Sequence, residues 1–68
     1  MNDEAFNLSI RRFLKQFGVT AQRQIERAVA EAVESGKLSG KETLRATARL
    51  RLDGLDVDTT IEGEITLI

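Results

Sequence analysis

Catalysis by a small protein usually recruits histidine, cysteine, lysine, tyrosine or a serine beside a base, and this chain contains no histidine, cysteine or tyrosine. Its three serines, Ser9, Ser35 and Ser39, have no base to activate them. A pair of carboxylates could in principle share acid and base roles. With 68 residues, however, there is little core from which to build a cleft that desolvates one of them. The expectation is a protein that is not an enzyme and has no catalytic residues.

Three other groupings could carry binding chemistry. The acids Asp53, Asp56, Asp58, Glu62 and Glu64 could suggest a hard-cation site. A calcium loop needs acids at alternating positions, then glycine, then a distant glutamate, and here the glycine, Gly54, comes too early. On a strand these acids form a row that opposing arginines can neutralise, so no metal site is expected. The stretch from Gly36 to Lys41 approaches a phosphate-binding loop. It has three residues between its glycines where four are required, and Glu42 where Ser or Thr should follow the lysine. It reads as a plain connection, and no cofactor is expected.

The third grouping is Arg11, Arg12 and Lys15, a candidate basic patch on the outer side of a helix, next to Phe17-Gly18-Val19-Thr20, which looks like the turn of a helix-turn-helix. The second half of that motif fits poorly. Gln24 stands where an apolar residue belongs, and Glu26, Glu31 and Glu34 would repel phosphate along the recognition helix. Nucleic acid is therefore a disfavoured partner, kept as the alternative: a nucleic-acid-associated or regulatory adaptor built on a degenerate helix-turn-helix plus hairpin.

The elements that must position these residues follow from hydrophobic spacing. Phe6, Ile10, Phe13, Leu14 and Phe17 recur at helical intervals, with Asn2 or Asp3 as N-cap and Gly18 as the stop, which predicts a helix over 3–17. Thr20 is a natural cap for a second helix over 20–35, ended by Gly36. The period then changes to two. Leu44, Ala46, Ala48, Leu50 and Leu52 alternate with polar residues, and a second alternation follows Asp53-Gly54, predicting strands over 43–53 and 55–67. With Asp53 and Gly54 as a two-residue turn, Arg49 would face Asp58, Arg51 Asp56 and Arg45 Glu62. A four-residue loop would keep the faces but set Arg49 opposite Thr60 and Thr47 opposite Glu62, wasting charge partners, so the tighter turn is favoured.

The expected fold class is α+β: one domain over 1–68, a two-helix hairpin packed on one face of a C-terminal antiparallel β-hairpin, in a sheet that a second copy can extend. No internal repeat or linker is evident. With 41% hydrophobic residues and a net charge of −1, the chain is too apolar and too near neutral to be a disordered tail or to recruit polyanions by overall field. The absence of cysteine suits a reducing cytoplasm. The acidic start MNDEAF and the lack of an 18-residue apolar run argue against a signal peptide or membrane segment.

Across nearly the whole chain, the blocks Ala5-Phe6-Asn7, Ile10-Arg11-Arg12-Phe13-Leu14-Lys15 and Gly18-Val19-Thr20, with Glu62-Gly63-Glu64 in weaker support, resemble a family of small, uncharacterised bacterial proteins known only as a domain of unknown function. The resemblance implies a bacterial, cytoplasmic, stand-alone protein and carries no functional residues.

The functional expectation is a non-enzymatic protein-protein interaction or structural module that forms a homodimer. Its candidate interface is Leu8 with Ile65, Leu67 and Ile68. The last three end a barely charged strand whose edge could pair with its own copy or with another protein.

Overall fold

A computed structural model describes all 68 residues, which form two compact units, Met1–Lys37 and Leu38–Ile68. Its elements are a helix and a two-stranded antiparallel sheet, an α+β composition.

The first unit is one helix, α1, from Asp3 to Glu34, 32 residues and about 48 Å long. The expected two-helix hairpin is corrected: no turn interrupts the chain at Gly18-Val19-Thr20. Gly18 is helical rather than left-handed, as a stop would require. The physical reason is a balance of magnitudes. Glycine inside a helix costs about 1 kcal/mol against alanine. Breaking there would leave four N–H and four C=O groups without helical partners. Continuity also keeps Phe17, Ala21 and Ile25 in phase on one side.

The true ends of α1 carry the expected signals. Asn2 is extended, and its side-chain oxygen accepts from the Ala5 N–H at 3.1 Å. Asp3 and Glu4 place negative charge in the first turn, where the helix dipole favours it. At the other end Gly36 adopts φ +82° and donates to the Val33 carbonyl at 3.2 Å. Leaving the helix through a left-handed residue is what glycine permits without a Cβ penalty.

The second unit holds β1, Thr43–Leu52, and β2, Val57–Thr66. The pairing runs from Thr43 opposite Thr66 to Leu52 opposite Val57, so the loop between the strands spans the four residues Asp53 to Asp56. This corrects the two-residue turn: Arg49 faces Thr60, not Asp58. The favoured two-residue hairpin turns need φ > 0 at their first central position, and Asp53 does not adopt it. Gly54 does, at +84°, and the Leu55 N–H donates to the Leu52 carbonyl at 3.2 Å. That is a glycine in the third position of a turn, the place where type II geometry demands it.

Either register leaves the faces unchanged. Leu44, Ala46, Ala48, Leu50 and Leu52 share one side with Val57, Ile61 and Ile65, and the arginines share the other with the acids. The Leu67 N–H reaches the Glu42 carbonyl at 3.1 Å, carrying the ladder one step beyond Thr43. The last strand therefore overhangs its partner by Ile68 alone.

Candidate interaction surface

Chemistry on this chain has to be sought on its surface, because no residue is buried. On α1, Phe6, Ile10, Phe13 and Phe17 project from one side, and Phe13 is 56% exposed. Apolar area of this kind costs free energy while it faces water. At 100° per residue, Leu8, Arg11, Arg12 and Lys15 fall together on the opposite side, so α1 does gather the candidate basic patch. None of the three bases is in an ion pair. The helix-turn-helix that would have used them lacks its turn.

On the hairpin the charged face is ordered by diagonal pairs. The Arg49 Nε and Nη2 groups donate to the Asp58 carboxylate at 2.8 and 2.7 Å, and Arg45 lies 2.6 Å from Glu62. Each acid stands two residues towards the turn from its arginine's direct partner, a diagonal that long side chains span. The Arg49 guanidinium holds the Asp58 carboxyl below its usual range, and Asp58 raises Arg49 in return. Beside the second pair lies a shallow depression lined by Thr43, Arg45, Glu62, Gly63 and Glu64. Its lining carries Arg45 against two acids, Glu62 and Glu64, a net charge of −1.

Glu42 was missed as a structural residue by sequence reasoning. Its carboxylate accepts the N–H groups of Ser39 at 2.8 Å, Gly40 at 2.9 Å and Lys41 at 3.1 Å. With Gly40 at φ +96°, successive amides turn inward and form an anion-holding concavity. The residue that breaks the phosphate-loop pattern thus fills the loop itself. The Ser39 amide contributes most to holding the Glu42 carboxyl at about 2, against an ordinary 4.5.

Of the candidate interface, Leu8 and Ile68 are exposed, while Ile65 and Leu67 are half-buried. Leu8 lies on the helix, Ile65 on β2, and Leu67 and Ile68 just beyond the end of β2, so Leu8 and the other three belong to different units. No three metal-ligating side chains converge anywhere, and no helix is both long and apolar enough to cross a membrane.

A family model described as a family of unknown function (DUF6494) matches residues 1–68, the full length of the chain. The chain belongs to that family. No curated protein and no solved structure matches this DUF6494 member.

Proposed function

We propose that this DUF6494 chain is a non-enzymatic protein-interaction module whose working form is a homodimer. The observation that carries this reading is the apolar side of α1, which a lone helix cannot shield from water: Phe6, Phe13 and Phe17 are each at least half exposed along it. Such residues are of the right kind for a contact between chains, since aromatic side chains concentrate at interface centres.

Two surfaces compete for the contact. The strand edge at Ile65, Leu67 and Ile68 offers backbone pairing, although with an overhang of one residue it presents little beyond the existing ladder. The aromatic side of α1 offers more apolar area. Sedimentation equilibrium at micromolar concentration tests the reading: a species of about twice 7.6 kDa is expected. A 7.6 kDa species across the whole accessible concentration range would reject it.

A further inference from the structure

Eight apolar residues on the aromatic side of α1 have a spacing that reads the same in both directions. From Phe6 through Ile10, Phe13, Phe17, Ala21, Ile25 and Ala28 to Ala32 the steps are 4, 3, 4, 4, 4, 3 and 4, symmetric about residue 19. At 100° per residue these positions occupy an arc of about 120°. The stripe stays on one side because several of its members recur at an interval of 11 residues, Phe6 with Phe17 and Ala28, and Ile10 with Ala21 and Ala32. That period is close to the natural helical one, so the stripe barely winds.

Building on the homodimer reading, we infer that two copies of α1 pair antiparallel through this stripe, with their crossing point at residue 19. Reversing one helix about that point lays the stripe onto itself. Phe6 then meets Ala32, Ile10 meets Ala28, Phe13 meets Ile25 and Phe17 meets Ala21. Three of the four layers combine a large side chain with alanine, and the fourth joins Phe to Ile, so the helix axes keep a nearly constant separation within the usual 8–10 Å. A parallel pair would stack Phe6, Phe13 and Phe17 on their own copies at one end and alanines on alanines at the other. The phenylalanine layers would hold the helices apart and leave unfilled space where alanine faces alanine, a packing defect that interiors do not tolerate cheaply.

Arg11, Arg12 and Lys15 lie on the side of α1 away from the stripe, so their charge does not bear on the direction of pairing, which rests on the packing of the layers. Asn7 meets Glu31 at the margin, where both can hydrogen-bond. Gln24 shares the angle of Phe6 and Leu14 that of Ala32, so this layer sets an amide against a leucine within the stripe and is its one polar-to-apolar mismatch.

The absence of cysteine allows single-cysteine variants to read the geometry. The test uses Phe6→Cys and Ala32→Cys in the full chain, each alone and then mixed in equal amounts before mild oxidation, with Ile10→Cys and Ala28→Cys as a second layer. Positions 6 and 32 are about 39 Å apart along one helix, so the outcomes separate cleanly. Disulfide dimers that form in the mixtures and not in the single variants are the expected result. Dimers in the single variants mean a parallel pair. A sedimenting dimer that cross-links in neither experiment means that α1 is not the interface. Both results overturn the antiparallel assignment and leave the homodimer reading standing, whereas an unmodified chain that sediments as a monomer removes both. Sedimentation of the reduced variants guards against a variant that merely fails to assemble. If Phe6→Cys is monomeric, the Ile10 and Ala28 layer decides.

Discussion

Glu42 shows how much one side chain can organise without being buried. Its three amide donors favour the ionised form, which is why its carboxyl sits at about 2, against an ordinary 4.5. A carboxyl whose folded value is lowered contributes order that is complete above the unfolded value and lost as pH falls through the folded one. The loop around Ser39 and Gly40 should therefore remain closed above about pH 4.5 and open progressively towards pH 2. A carboxyl-detected NMR titration should place the Glu42 midpoint near the lower figure, and Glu42→Gln should speed amide exchange at Ser39 and Gly40 at neutral pH. A midpoint at the ordinary value would show that the amides do not hold it. None of this was legible in the residue pattern, because the convergence depends on the left-handed turn at Gly40, and glutamate by its type alone signals only a failed motif. The pairing of arginines with acids, in contrast, could be read in advance. Arg45 with Glu62 and Arg49 with Asp58 are two of the three expected partners, reached diagonally rather than directly, while the third expected pair, Arg51 with Asp56, does not form because Asp56 lies in the turn and Arg51 faces Asp58.

At the scale of elements, Gly18 and Gly36 look alike in the sequence and behave oppositely in the structure. Both follow a helical stripe, and both are flanked by residues that could cap. Gly36 is left-handed at φ +82° and Gly18 is helical, with open space where its Cβ would stand. Gly18→Ala should therefore stabilise the protein by about 1 kcal/mol, the helix-propensity difference. Gly36→Ala should destabilise it by a similar amount, about 1 kcal/mol, because an L side chain resists that conformation. Urea denaturation of the two variants gives both signs. A loss of stability from Gly18→Ala would restore the break between two helices. Helical spacing, strand alternation and the two sheet faces could all be recognised from residue types, since each reflects a period set by backbone geometry. Continuity through Gly18 could not, because it turns on a difference of about 1 kcal/mol that the pattern does not decide. The four-residue turn was legible only as the less favoured alternative, since direct pairing of arginines with acids argued for the tighter turn and the diagonal contacts that the longer loop allows do not show in the pattern.

For the molecule as a whole, neither unit buries a residue of its own, so each holds little of the hydrophobic stabilisation that normally offsets the entropy of ordering its residues. On the homodimer reading association supplies stability by mass action, and the melting temperature should rise steadily as protein concentration is raised. Calorimetry at several concentrations checks this, and a constant melting temperature would place the stabilising contacts within one chain. The aromatic side of α1 also has a consequence in time. When two chains must meet before either shields its phenylalanines, productive folding is a second-order event: doubling the number of nascent chains quadruples the initial rate of assembly. Dilute chains wait longest in the open form, within reach of proteases. The rate of synthesis would then help to decide what fraction of this protein survives to be folded at all.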